Sequence, residues 1–423
     1  MSKIKIYGGK KLSGEVEISG AKNAILPILA ATLLTKHEVI LHNVPNLSDV
    51  HIMLELLKEI GSDFHFDTKH NTLTIFAKTA VMSNIDNAQL SEKIRASSLF
   101  LGPLLAINGH VKIPKPGGCK IGARLIDMHL HFLNKMGADV QEDECFIELT
   151  TKEKIHGVEA NFYKISVGAT QNIMMAATLA NGKTTINGAS LEPEITDLGN
   201  FLISMGAKIK GLGTDTIEIN GIQELKPSQP YKIIYDRLEA GTYIMAALAT
   251  KSEILLKNAP HQYLKYFLEV LRDCGANITI DESDILIKNH NDKLSGKSIS
   301  TAPYPYFPTD LQQIYTTLMT TSNGLSQIDE TIFDGRFLFA KELKKMNADI
   351  HHKNENSIII NGVKNLEPSE ELEGHDLRGS MAVFIAGLKA DGMSILKNSY
   401  YLDRGYENFH KKFLSLGADI EYV

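Results

Sequence analysis

The sequence predicts an α/β fold of two similar domains, each made of three repeated units, and three observations carry that prediction. The chain has 423 residues, too many for one ordinary hydrophobic core. One short phrase, a helical run stopped by a small residue and followed by a strand, returns six times at a spacing of about 70 residues. A proline-marked turn, Lys226-Pro227-Ser228-Gln229-Pro230, follows the third copy and reads as the boundary between domains.

The stop residues of the six copies are Gly61, Gly137, Gly206, Gly275, Asn347 and Gly417. Val270-Leu271-Arg272-Asp273-Cys274-Gly275-Ala276-Asn277-Ile278 is typical of them. Glycine accepts the left-handed backbone that ends a helix, and asparagine is the usual second choice, so Asn347 fits the series. A second phrase opens the other helix of each unit, where polar or small residues precede a long apolar run. It begins near Gly20, Lys93, Val167, Asp236, Thr309 and Asp376. Runs such as Ile173 to Ala180 and Tyr243 to Ala249 are apolar nearly all round, as a helix buried inside a domain must be. Thr72-Leu73-Thr74-Ile75-Phe76 and Ser357-Ile358-Ile359-Ile360 read as strands. From the residues alone, the piece before Lys22 suits an added strand in either domain.

Composition narrows the function. With 43% hydrophobic and 22% charged residues the chain is an ordinary globular one, and a net charge of −6 argues against nucleic acid as partner. Met1 to Tyr7 holds no apolar signal core, and the apolar run Ala24 to Leu34 contains Pro27 and is too short to span a bilayer. Cys119, Cys145 and Cys274 are few and far apart, which suits a reducing cytoplasm rather than a disulfide framework. No Cys/His spacing resembles a zinc site.

One loop concentrates chemistry: Pro114-Lys115-Pro116-Gly117-Gly118-Cys119-Lys120-Ile121-Gly122-Ala123-Arg124. Its glycines permit movement, and its cations favour a thiolate at Cys119, a combination suited to a closing lid. A surface turn with an incidental cysteine is the competing reading of the same composition. Lys22, Arg95, Arg237 and Arg378 stand at equivalent helix starts, where unpaired backbone N–H groups and the macrodipole attract anions. A lone Lys or Arg is commonly just a solvated charge, but the equivalence of these positions points to one shared anion-binding cleft. Asp310 is the one acid at the head of an apolar run with no basic residue beside it in sequence. It suits a general base facing such a cleft, although spacing alone favours a helix N-cap. Asp403-Arg404-Gly405-Tyr406 is a compact turn whose arginine could grip phosphate, or form a plain salt bridge.

Taken in order, Ser19-Gly20-Ala21-Lys22-Asn23-Ala24, Pro116-Gly117-Gly118-Cys119 with Ile121-Gly122-Ala123-Arg124, Ser166-Val167-Gly168-Ala169-Thr170, Phe307-Pro308-Thr309-Asp310 and Asp403-Arg404-Gly405-Tyr406 resemble the UDP-N-acetylglucosamine 1-carboxyvinyltransferase family. These enolpyruvyl transferases begin peptidoglycan precursor synthesis. The resemblance covers essentially the whole chain. It implies the enolpyruvyl transferase fold, an inside-out α/β barrel in which each domain sets three units around a pseudo-threefold axis. Residues 22–230 would form one domain, and 1–21 with 231–423 the other. It further implies small-molecule substrates, phosphoenolpyruvate and UDP-N-acetylglucosamine, with no metal or other cofactor, no nucleic acid and no membrane, and it leaves the oligomeric state open. By the same resemblance Cys119 and Asp310 are the catalytic residues, and Lys22, Asn23, Arg124 and Arg404 hold phosphoenolpyruvate. Arg95, Arg124, Leu125, Ile126, Asp127, Met128, Lys164, Ile165, Ser166, Val167, Asp310 and Ile332 would line the UDP-sugar site, with Arg237 and Arg378 in support. Lys115, Leu125 and Tyr304-Pro305-Tyr306 depart from the family's usual residues. Two other readings stay open here: the sister transfer to shikimate 3-phosphate, and an inactive UDP-sugar-binding scaffold.

Overall fold

The computed structural model describes residues 2–76, 82–117, 126–288 and 294–423. Among these residues the chain divides into two compact units, one of residues 20–117 and 126–234, the other of 2–19 and 235–423. Each unit has its own hydrophobic core. The proline-marked turn is not the crossing point. Tyr231–Lys232, beyond it, still adds a parallel strand beside Val39–His42, so the chain leaves the first unit after Ile234.

Six helices carry the repeat. In the first unit they are α1 (Lys22–Ala31), α2 (Leu101–Asn108) and α3 (Val167–Leu179). In the second they are α4 (Arg237–Ala249), α5 (Thr309–Met319) and α6 (Leu377–Lys389). Every residue of α4 is buried, which is why its sequence shows no polar face. Helices α4, α5 and α6 pack on one another, and α2 packs on α3. A side chain on Gly241 would run into Leu311 at 2.5 Å, so α4 and α5 approach closely because that position carries none. The second repeat departs from the expected plan. Its apolar run is preceded by a 3-10 turn, Arg95–Phe100, which places Arg95 ahead of the helix proper.

The outer helix of every repeat ends in one way. Gly61, Gly137, Gly206, Gly275, Asn347 and Gly417 all have positive φ, from 64° at Asn347 to 110° at Gly137. At each, the stop residue's N–H and the next residue's N–H turn back onto two carbonyls of the last helical turn, as Gly275 and Ala276 do to Arg272 and Leu271. That is the Schellman motif, which satisfies carbonyls the helix leaves orphaned. The residue after the stop is small because it is buried, from Ser62 at 2% exposure to Ala276 at 8%. A Cβ on Gly206, Gly275 or Gly417 would meet nothing within 4 Å, so glycine is there for its backbone angle and not for space.

The six sheets among the described residues share one strand plan. A short parallel edge strand lies beside the strand that follows the central helix. That strand pairs antiparallel with a partner, which pairs antiparallel with the strand after the helix stop. In the fifth repeat these are Ile299–Ser300, Leu325–Asp329, Ser357–Asn361 and Asp349–Asn354. In the second repeat a single parallel bridge, Asn84 to Lys112, stands where the others have an edge strand. The N-terminal piece belongs to the second unit. Lys3–Tyr7 lies between Met393–Lys397 and Asp419–Tyr422, antiparallel to both, and Ser13–Glu17 runs parallel to Glu253–Lys257. The start of the chain therefore completes sheets whose other strands come from its end.

Candidate active site

In the second unit the first turns of α4, α5 and α6 gather the chemistry. Two of these helices begin conventionally. The Asp236 carboxylate accepts from the N–H groups of Leu238 and Glu239 at 2.7 and 3.0 Å. That of Asp376 accepts from Arg378 and Gly379 at 3.0 and 2.9 Å. Helix α5 differs. Pro308 occupies its cap position without a side-chain cap, and Asp310 lies one residue inside the helix.

Asp310 is therefore not the N-cap that spacing favours, nor is it without basic neighbours in space. Its Oδ1 accepts from Arg336 Nη2 at 2.9 Å, and its Oδ2 from Arg378 Nε at 3.3 Å. Both arginine side chains are almost fully buried, at 3% and 4% exposure, whereas the Asp310 side chain is 26% exposed. The carboxylate is thus fixed by two cations while one part of it still faces outward. Arg336 is held at all three of its nitrogens. Nη1 donates to Thr309 Oγ1 at 2.7 Å and Nη2 to Asp310, and with the Gln313 amide turned so that its oxygen faces the guanidinium, Nε donates to that oxygen at 2.8 Å. The Arg378 guanidinium lies 5.1 Å from the centre of the Tyr406 ring. Burial pulls the Arg378 pKa down, but Tyr406 and the Asp310 and Asp236 carboxylates outweigh it and hold the group charged. Arg378 Nη1 is buried with no hydrogen-bond partner among the described residues.

The other expected residues of this unit lie around the same helix starts. Arg237, at the first position of α4, is buried and stacks 5.5 Å from the Tyr304 ring centre. Arg404 ends the 3-10 turn Ser399–Arg404, which packs on α6. Ile332 is exposed, on a loop whose backbone is tied to Glu330: the N–H groups of Ile332 and Phe333 donate to Glu330 Oε1 at 2.8 and 3.2 Å.

In the first unit Lys22 opens α1, and its Nζ lies 2.8 Å from Asp49 Oδ2. The Asp49 side chain is 2% exposed, so Lys22 is not a solvated surface charge. Asn23 follows, exposed, in the same first turn. Asp127 opens the helix Asp127–Lys135, in which Met128 is buried, with half-buried Ile126 just before it. The Asp127 carboxylate accepts from the Tyr163 hydroxyl and lies 3.9 Å from Lys164 Nζ. That hydroxyl, the strongest influence, together with Lys164 lowers the Asp127 pKa. Lys164, Ile165 and Val167 are exposed, and Ser166 caps α3 by accepting from the Ala169 N–H at 3.3 Å. Beside them sits His129, which accepts from Asn172 Nδ2 at 2.8 Å. Burial first, and then the Arg95 charge, push its pKa down to about 4, so the ring is neutral near pH 7. Cys119, Arg124 and Leu125 lie outside the described residues.

Comparison with known proteins agrees with this architecture. A family model described as EPSP synthase (3-phosphoshikimate 1-carboxyvinyltransferase) matches residues 6–413. The UDP-N-acetylglucosamine 1-carboxyvinyltransferase 1 of Carboxydothermus hydrogenoformans is 44% identical over 429 residues, covering 100% of this chain and 99% of that protein. The UDP-N-acetylglucosamine 1-carboxyvinyltransferase of Wolbachia pipientis subsp. Culex pipiens is 41% identical, with 99% of each chain covered. The chain belongs to the UDP-N-acetylglucosamine 1-carboxyvinyltransferases, within the EPSP synthase family.

Solved enolpyruvyl transferases share the fold. That of the NikO protein from Streptomyces tendae superposes with a TM-score of 0.90 at 22% identity, covering 100% of this chain and 99% of that one. EPSP synthase from Acinetobacter baumannii gives 0.77 at 19% identity, with 100% of each chain covered. Sequence reasoning missed Arg336, Glu330, His129 and Asn172. None sits in a phrase that repeats, and each acts on a partner far along the chain. The usable signal was Glu330-Thr331-Ile332-Phe333-Asp334-Gly335-Arg336 itself, an acid and an arginine bracketing the one residue of that loop already marked for the sugar site. Among the described residues no group of three or more His, Cys, Asp or Glu could hold a metal ion.

Proposed function

We propose that the chain transfers the enolpyruvyl group of phosphoenolpyruvate to the 3′-hydroxyl of UDP-N-acetylglucosamine and releases phosphate, the first committed step of peptidoglycan precursor synthesis. The observation that carries this reading is the end-to-end likeness, at 41–44% identity, to proteins bearing that activity's name.

The reaction is an addition followed by an elimination. The sugar oxygen bonds to C2 of phosphoenolpyruvate while C3 gains a proton. The tetrahedral adduct then loses phosphate from C2 and a proton from C3, which restores the double bond. Asp310 takes the hydroxyl proton. Arg336 and Arg378 support that role by fixing the carboxylate in one orientation, so that no reorganisation is needed as the proton moves. Cys119 delivers the proton to C3, a task that suits a thiol among cations on a glycine-rich loop. Lys22, Asn23, Arg124 and Arg404 hold the phosphate and carboxylate of phosphoenolpyruvate. Arg237 and Arg378 add positive potential. The UDP-sugar is lined by Arg95, Arg124, Leu125, Ile126, Asp127, Met128, Lys164, Ile165, Ser166, Val167, Asp310 and Ile332. The exposed run Lys164–Ile165 and the exposed Ile332 support that placement. The enzyme acts on small molecules in the cytoplasm, in keeping with there being no helix long and apolar enough to cross a membrane among the described residues.

Phosphate release from phosphoenolpyruvate, followed with each acceptor in turn, tests the reading. Turnover with UDP-N-acetylglucosamine and none with shikimate 3-phosphate is expected. The reverse preference, or no release at high enzyme concentration, overturns it.

A further inference from the structure

We infer that Glu330 is a positioning residue that ties the backbone of the Ile332 loop to the Asp310 carboxylate through Thr309 and Arg336. The inference rests on the function proposed above, which sets Ile332 against the UDP-sugar and Asp310 against its hydroxyl. Glu330 is 2% exposed, and its two oxygens face opposite ways. Oε1 accepts from Thr301 Oγ1 at 2.9 Å and from the N–H groups of Ile332 and Phe333 at 2.8 and 3.2 Å. Oε2 accepts from Thr309 Oγ1 at 2.8 Å. The Thr309 hydroxyl accepts in turn from Arg336 Nη1 at 2.7 Å, and Arg336 Nη2 donates to Asp310 at 2.9 Å.

The polarity of this chain is fixed throughout. A carboxylate can only accept and a guanidinium can only donate, so the threonine hydroxyl between them has one orientation. Charge at both ends makes each bond shorter and stronger than a neutral one. The loop offered to the sugar and the carboxylate offered to its hydroxyl are therefore set by one continuous network. A displacement of either is opposed by the other. Because a reacting group misplaced by about 1 Å forfeits roughly a hundredfold in rate, such a network governs turnover rather than binding.

Thr309→Val cuts the chain at its middle and leaves both ends intact: Glu330 still holds the loop, and Arg336 still holds Asp310 and Gln313. In the full-length enzyme, kcat should fall about tenfold or more while KM for UDP-N-acetylglucosamine stays within about twofold. Thr309→Ser, which restores the hydroxyl, should recover turnover. Glu330→Gln is the second variant. Its amide oxygen can keep the loop, but its NH2 would donate to Thr309, whose hydroxyl would then accept from both sides and no longer hand the contact on, so kcat should fall with the same KM pattern. Wild-type kcat in either variant, shown folded by circular dichroism, overturns the inference, as does a serine variant no better than valine. If the wild-type chain itself releases no phosphate with UDP-N-acetylglucosamine, the proposed function fails and takes this inference with it. Active wild type with indifferent variants sinks the inference alone.

Discussion

His129 should remain uncharged well below the pH at which an ordinary histidine protonates. Two structural causes act together. The ring is 5% exposed, and the Arg95 charge disfavours a second cation nearby. The hydrogen bonds point the same way. Asn172 Oδ1 accepts from the Gly102 N–H at 2.8 Å, which orients its NH2 towards Ser98 O at 3.0 Å and His129 Nδ1 at 2.8 Å. Nδ1 must then be the acceptor, and the ring proton sits on Nε2. Protonating Nδ1 would set two donors against each other. A folded-state pKa of about 4 against an ordinary 6.5 corresponds to ~3 kcal/mol once the ring is fully charged. Because the folded value is depressed, the unfolded chain binds the proton first. Stability present above pH 6.5 is lost as pH falls, by about 2 kcal/mol at pH 5. Histidine labelled at 13Cε1 gives a direct measurement. Of the chain's 15 histidines, the resonance that disappears in His129→Asn should stay at its neutral shift from pH 7 to 5. A midpoint near 6.5 for that resonance would refute the argument.

Asp197 should show the opposite sign. Burial, helped by Glu194, raises its pKa to about 6 against hydrogen bonds from Tyr231 and Ile234 that lower it. The folded state therefore holds its proton longer, and its contribution is present at low pH and lost as pH rises through about 6. In urea unfolding, wild type should lose up to about 3 kcal/mol relative to Asp197→Asn between pH 4 and 7, and a constant difference would count against it. Gly206→Ala should lower stability by roughly 1 kcal/mol, because φ of 101° is unfavourable for any Cβ although the space is empty. An unchanged melting midpoint would show that the helix end relaxes freely. Cys119→Ser should cut turnover by about a hundredfold or more, since a hydroxyl is a far weaker acid than a thiol; near-normal kcat would remove Cys119 as proton donor.

The scaffold was legible because it is written several times. Six helix stops ask for the same left-handed residue, and the exception, Asn347, is the substitution that backbone angle permits. Central helices such as α4 are apolar on every side because every side is covered. What stayed hidden depends on partners distant in sequence. Lys3–Tyr7 could belong to any sheet with a free edge, and only packing assigns it to the last repeat. Arg336 reaches Asp310 across 26 positions and Arg378 reaches it across 68. No local spacing announces either pair, so an acid beside a helix start was most simply read as a cap.

In the second unit, two of three equivalent helices begin with a capping aspartate, Asp236 and Asp376, whose carboxylates are spent on their own backbone N–H groups. Had the third followed the pattern, its carboxylate would have been spent in the same way. Pro308 takes the cap position instead, and the acid moves two residues inward, to the rank that Arg378 occupies on its neighbour. Because α5 and α6 pack together, equal rank brings the two side chains into contact. One break in the repeat thus releases a carboxylate from structural duty and delivers it to two buried arginines. A substitution that placed an aspartate at position 308 would not abolish this arrangement, because Asp310 would still supply the partner for Arg336 and Arg378. Moving the acid from 310 to 308 would remove it. The carboxylate's placement is therefore set by where the repeat fails, which is also what sets Asp310 apart in the sequence.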